Sequence, residues 1–102
     1  MNIQAIKENY LNKIKDDYII EVRDNGGPDN NGSIDRYTVV YKNGTDMLAM
    51  SSQPFHPQGI GQHVSGTPGD HLGELIDFED LPTECQHAVI QDYYRDHLED
   101  KS

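Results

Sequence analysis

The segment Arg36-Tyr37-Thr38-Val39-Val40-Tyr41 is the strongest strand signal in the chain, and Asn43-Gly44 follows it after a single lysine. Both residues of an Asn-Gly pair tolerate positive φ, which a two-residue hairpin turn requires. Taking them as the turn sets Tyr41 opposite Asp46, Val39 opposite Leu48 and Tyr37 opposite Met50. Tyr37, Val39, Leu48 and Met50 then share one face, and Thr38, Val40, Met47 and Ala49 share the other. Because strand side chains alternate, this register gives apolar neighbours on both faces, and a one-residue slip would exchange them. The rest of the fold has to be built around this hairpin.

Helical signals stand at both ends. Over residues 2–15, Ile3, Ile6, Tyr10 and Ile14 recur at spacings of three and four, with Leu11 beside them, which predicts an amphipathic helix. Lys13 and Lys15 suit the negative end of its dipole. Residues 18–23 alternate, placing Tyr18, Ile20 and Val22 on one face of an expected strand. The Asp24 to Ser33 segment holds turn formers and no core candidate, so it reads as a loop. Residues 51–72 are expected to form a long irregular Pro/Gly/His connection, and connections of that length are usually functional or disordered. A short strand within 73–79 carries Ile76 and Phe78. A helix over 81–98 follows, with Pro82 in its first turn and Thr83 and Gln86 at capping-box spacing. Cys85, Val89 and Tyr93 form one stripe of it; Ile90, Tyr94 and Leu98 form a neighbouring one.

Residues 1–102 therefore read as one α+β domain. The expected sheet is a three-stranded antiparallel meander over 18–50 plus a short fourth strand. N- and C-terminal helices flank it, both packed on one face. Only 34% of residues are hydrophobic, so the core is thin and the six tyrosines and two phenylalanines carry much of it.

Charge excludes several functions. The formal net charge is −10, which disfavours direct binding to nucleic-acid phosphates or to an anionic membrane and favours basic partners. Residues 1–69 hold eight acids and six bases, whereas residues 70–100 hold ten acids and one base, Arg95. The ordinary reading is a solvated acidic face; the functional one is a surface that meets a basic groove. Asp96, Glu99 and Asp100 gain nothing from the helix dipole at their end of the helix. No apolar run approaches membrane-spanning length and no secretory leader is recognisable, so a cytoplasmic setting is expected. One cysteine excludes an intramolecular disulfide.

Candidate site residues fall in a few places. His56, His63 and His71 could offer metal ligands, but their spacings of seven and eight lack the tight pairs of compact zinc motifs. Histidines bonding loop backbone or a partner are the ordinary alternative, and no cofactor is expected. Pro54-Phe55-His56-Pro57-Gln58-Gly59, continuing to Gln62 and His63, is a stiff frame that could display a recognition surface; the ordinary role for Phe55 is to pin the loop onto the core. Asp35-Arg36 could bind an anion or form a strand-end salt bridge. The Asp24–Asp35 loop fails the EF-hand pattern: with Asp29, Asn31 and Ser33 as ligands, Ile34 occupies the glycine position. Cys85 near a helix start could be an activated thiol with a loop histidine as base, but its place on the apolar stripe favours a buried cysteine. No catalytic motif is present and no catalytic residue is assigned.

Three blocks also carry a resemblance. They are Asp24-Asn25-Gly26-Gly27 with Asp35-Arg36-Tyr37-Thr38-Val39-Val40; Met50 with Pro54 through His63; and His71-Leu72-Gly73 with Asp80-Leu81-Pro82 and Cys85-Gln86. Together they resemble a family of small proteins carried by phages, plasmids and bacterial genomes, without an established activity. The resemblance spans roughly residues 18–90 and implies a mobile-element setting; it implies no catalytic residues.

The reading is a non-enzymatic interaction protein whose acidic surface meets a basic host or phage protein, as an inhibitor of a nucleic-acid-handling or defence protein. Its candidate contacts are Phe55, His56, Gln58, Gln62, His63, Asp35, Arg36, Asp77, Glu79, Asp80 and Glu84. The alternative is a small-ligand or metal-binding domain using the 54–71 loop.

Overall fold

A computed structural model of the chain describes residues 2–31, 34–42 and 46–99. The Asn43-Gly44 turn, Ser33 and Asp100 lie outside them. Helix α1 (Ile3–Lys13) runs into a π-helical turn (Ile14–Tyr18), then β1 (Ile19–Asp24), a four-residue helix α2 (Pro28–Asn31), β2 (Tyr37–Tyr41) and β3 (Asp46–Met50). Next come β4 (Gly61–Ser65), a 3-10 turn (Asp70–Leu72), β5 (Glu74–Ile76) and a second 3-10 turn (Phe78–Asp80). Helix α3 (Thr83–Tyr93) ends in a π-helical turn (Tyr94–Leu98). The strands form one sheet in the order β4-β3-β2-β1-β5, every neighbouring pair antiparallel.

The hairpin register is the one that the Asn-Gly turn implies: Tyr37 faces Met50, Val39 faces Leu48, and Thr38 and Val40 face Ala49 and Met47. The sheet has five strands rather than four, because the expected 51–72 loop contains β4, which pairs with β3 from Asp46/Ser65 to Met50/Gly61. Gly-Gln-His-Val-Ser has no apolar alternation, since an edge strand with both faces largely solvated needs none. β1 also departs from simple alternation. Its pairing with β2 slips between Ile19 and Glu21. Ile19 and Val22 therefore enter the core while Ile20 is 56% exposed, and Tyr18 belongs to the preceding helical turn. A bulge of this kind reverses side-chain direction within a strand.

Both terminal helices pack on the face that carries Tyr37, Val39, Tyr41, Leu48 and Met50; Ile6 and Ile14 meet Cys85, Val89, Ile90 and Tyr93 there. Asn2 starts α1, its side chain accepting from the Ala5 N–H at 3.1 Å. At α3 the Thr83–Gln86 box does not form. The box closes one turn earlier, between Asp77 and Asp80, and the Gln86 amide donates to the Leu81 carbonyl at 2.9 Å. Pro82 sits at the N-cap instead of inside the first turn. Each buried aliphatic side chain here contributes about 1.5–3 kcal/mol, so Val39, Val89 and Ile90, fully enclosed, anchor helix to sheet.

The opposite face is buried too, at Thr38, Val40, Met47 and Ala49. Residues 66–73 join β4 to β5, which lie at opposite edges, so this link must cross the sheet. It crosses the face away from the helices: a Cβ on Gly66 would sit 3.1 Å from the Met47 methyl, and Arg23 on that face donates to Asp70 and to the Gly73 carbonyl.

Candidate functional site

The turn-rich segment after β1 is a closed hydrogen-bond system. Asp24 accepts from Arg36 Nε at 2.8 Å, from Arg36 Nη2 at 3.1 Å and from the Gly26 N–H at 2.8 Å. The Arg36 guanidinium holds the Asp24 carboxyl below its ordinary range despite partial burial. Asn25 donates to the Asp35 carbonyl at 2.6 Å and accepts from the Gly27 N–H at 2.8 Å. Gly26 and Gly27 take φ of 90° and 80°, values that L side chains rarely adopt. Gly73 (φ 111°) comes so close to β1 that a Cβ there would lie 2.3 Å from the Asp24 carbonyl oxygen. Two sequence blocks, Asp24–Gly27 with Asp35-Arg36 and His71–Gly73, thus meet around one open cleft of about 920 Å³, lined also by Arg23, Asn30 and Glu74. The Arg36 partner is Asp24, not its neighbour Asp35; Asp35 instead accepts from Gln62 at 3.3 Å.

A second cluster lies at the other end of the helix-covered face. Buried Asp92 accepts from the Tyr41 hydroxyl at 2.6 Å, is ion-paired with Arg95 at 3.1 Å, and pairs with His63 Nε2 at 2.9 Å. Asp96 accepts from the Tyr18 hydroxyl at 2.7 Å. Asp96, which gains nothing from the helix dipole, is held by side chains instead: burial alone would raise its carboxyl, but the Tyr18 hydroxyl and Arg95 hold it below its ordinary value. Burial and the facing carboxylates push the Tyr41 and Tyr18 phenols well up. The Tyr18 and Tyr41 rings pack 4.5 Å apart, centroid to centroid. An open cleft of about 660 Å³ adjoins them, lined by Lys42, Asp46, His63 and His97 among others. One signal for Asp92 exists in the sequence: Cys85, Val89, Asp92 and Asp96 follow helical spacing, so an acid falls on the apolar stripe.

The loop before β4 is tied to itself. The Gln58 N–H donates to His56 Nδ1 at 3.0 Å, and the Gly59 N–H donates to the His56 carbonyl at 2.7 Å. Phe55 does not pin this loop: it is 52% exposed, because the turn is closed by backbone and imidazole bonds. His56 lies in this turn, His63 on β4 against Asp92, and His71 by the first cleft. Among the described residues no three His, Cys, Asp or Glu side chains are grouped to hold a metal ion. Cys85 is buried, its thiol donating to the Ser51 carbonyl at 3.2 Å, and burial pushes it up to about 12. Such a thiol is not a nucleophile near neutral pH.

The acidic residues occupy the β5 side. Glu74, Asp77, Glu79, Asp80 and Glu84 are all exposed, on β5, the following 3-10 turn and the first turn of α3. Lys15 reaches one of them, Glu79, at 2.6 Å and lowers its carboxyl. Leu75, 62% exposed, lies in the same stretch. The structure does not unite these acids with Phe55, His56 and Gln58, which belong to the β4 side, with three strands between. No helix among the described residues is long and apolar enough to cross a membrane. No family model, curated protein or solved structure matches the chain.

Proposed function

We propose that the chain is a non-enzymatic binding protein whose acidic β5–α3 face docks a basic protein, acting as an inhibitor of a nucleic-acid-handling or defence protein in a phage or plasmid setting. The observation that carries this reading is the exposure of Glu74, Asp77, Glu79, Asp80 and Glu84 on β5, the following 3-10 turn and the first turn of α3. Exposed like charges grouped on one side of the fold suit a basic groove, because they steer the encounter with it. The buried, un-ionised Cys85 thiol supports a binding role over thiol chemistry.

The test is affinity capture from bacterial lysate with the tagged chain at low and high salt. It is run beside a variant carrying Asp77→Asn, Glu79→Gln, Asp80→Asn and Glu84→Gln. A protein held by the natural chain, released by salt and lost by the variant is the expected result. Identical retention by both chains, or retention indifferent to salt, would sink the reading.

A further inference from the structure

The two edges of the sheet are unlike. β5 is three residues long and runs straight into the carboxylates of Asp77, Glu79 and Asp80. β4 is five residues long and regular, with no proline, lysine, carboxylate or register slip. Short length, charge, proline and bulges are the devices that keep a sheet edge from pairing; β4 has none of them, and β5 has two.

The backbone of β4 shows what it offers. The Ser51 N–H donates to the Ile60 carbonyl at 2.8 Å, which makes that facing pair a hydrogen-bonded one. Antiparallel ladders alternate, so Gln62 and Val64 bond inward to Ala49 and Met47, their facing residues. Gly61, His63 and Ser65 turn their N–H and C=O groups away from the sheet. These groups lie at residue spacing i, i+2, i+4, the pattern that an added strand reads. Pro54 abuts the start of the strand, 3.3 Å from where a Gly61 Cβ would be, and the next residue is the exposed Phe55.

We propose that β4 is a strand-docking edge that takes an extended, lysine- or arginine-bearing segment of another protein as a sixth strand. Local charge selects this occupant. Asp46 stands opposite Ser65, Asp35 holds Gln62, and Asp17 and Asp96 line the cleft beside His63. Of the cations in that cleft, Arg95 is already bound to Asp92 and Asp96, and Lys42 donates to the Asp16 carbonyl. A second copy of this chain would bring the same carboxylates together and set net charge −10 against −10. The choice of a basic segment shares the basic-partner reading of the proposed function; the edge itself is independent of the β5–α3 face.

The experiment uses the full isotope-labelled chain and an acetylated, amidated eight-residue peptide alternating valine or threonine with lysine. In the free chain, the amides of Gly61, His63 and Ser65 exchange rapidly with solvent. With the peptide they become protected, while those of Gln62 and Val64 change little. Ser65→Pro removes one outward donor and weakens binding about tenfold. Ser65→Lys, which keeps the N–H and adds a repelling charge, weakens it as well and guards against a Ser65→Pro chain that misfolds. The proposal is overturned by failure of the peptide to protect these amides. Perturbation confined to residues 74–84 overturns it too, while leaving the proposed function standing. Protection that rises with protein concentration alongside a dimer mass means that a second copy is the occupant, and the proposal is wrong.

Discussion

The Tyr41 hydroxyl donates to Asp92 at 2.6 Å inside the core, joining the end of β2 to the last turn of α3. Tyr41 and Asp92 are both buried, and Asp92 has His63 and Arg95 as its remaining partners. Removing the acid and removing the phenol are therefore not equivalent. Asp92→Ala leaves the Tyr41 hydroxyl buried without an acceptor and Arg95 without one of its two carboxylates, and should cost about 3–4 kcal/mol. Tyr41→Phe leaves Asp92 with His63 and Arg95 as partners and should cost about 1–2 kcal/mol. Urea unfolding of both single variants and the double variant checks this; the coupling should be about 1 kcal/mol or more.

The same bonds set an alkaline limit. Tyr18 and Tyr41 both have phenols raised above their ordinary value of 10.0 by burial and by Asp92 and Asp96. A group whose folded value is raised contributes stability in full below its unfolded value and loses it as pH climbs toward the folded one. Stability should thus hold up to about pH 10 and fall above it. In an absorbance titration, these two phenols should ionise only as the chain unfolds, and in Tyr18→Phe the alkaline fall should be shallower.

Arg36 and Asp24 give the opposite sign. Asp24 is held below its ordinary value of 3.8 by Arg36 and the Gly26 N–H. Its contribution is present above that ordinary value and disappears as pH drops through the lowered one. The pair is partly exposed, so Asp24→Asn should cost only about 1–2 kcal/mol at neutral pH. That gap should shrink from about pH 4 downward. Thermal unfolding of both chains across this range measures it, and a gap unchanged at low pH would refute the assignment.

Cys85 should be silent toward a thiol reagent in the folded chain, because its sulfur is buried, bonded to the Ser51 carbonyl and pushed up to about 12. Full labelling in denaturant and slow labelling without it is the expected pattern, with a rate that follows unfolding. Rapid labelling of the native chain would restore the thiol as a candidate nucleophile.

What the sequence revealed follows from where each signal is stored. The β2–β3 pairing was legible because Asn43-Gly44 sets the register locally and both faces of Tyr37–Tyr41 are buried. β4 was not, because an exposed edge strand leaves no mark of burial on Gly61–Ser65. The helical stripe of Cys85, Val89 and Tyr93 appeared from spacing, yet the meeting of His63 with Asp92 joins residues 29 positions apart and depends on a strand that spacing did not show. Phe55 misled because apolar residues are usually inside, whereas here backbone bonds close its loop.

Gly73 should not tolerate a side chain. Its φ of 111° is foreign to L side chains, and a Cβ would collide with the Asp24 carbonyl oxygen at 2.3 Å and with the Asn25 Cα at 2.6 Å. All of these obstacles are backbone, so no side-chain movement relieves them. Gly73→Ala must therefore displace β5 from β1 or loosen the Gly73 carbonyl from Arg23. A loss of about 2–4 kcal/mol is expected. Gly66→Ala meets only the flexible end of Met47 and should cost less than about 1 kcal/mol. Chemical denaturation of the two variants side by side decides it: equal losses would mean that the 66–73 link does not hold β5 against β1 through Gly73.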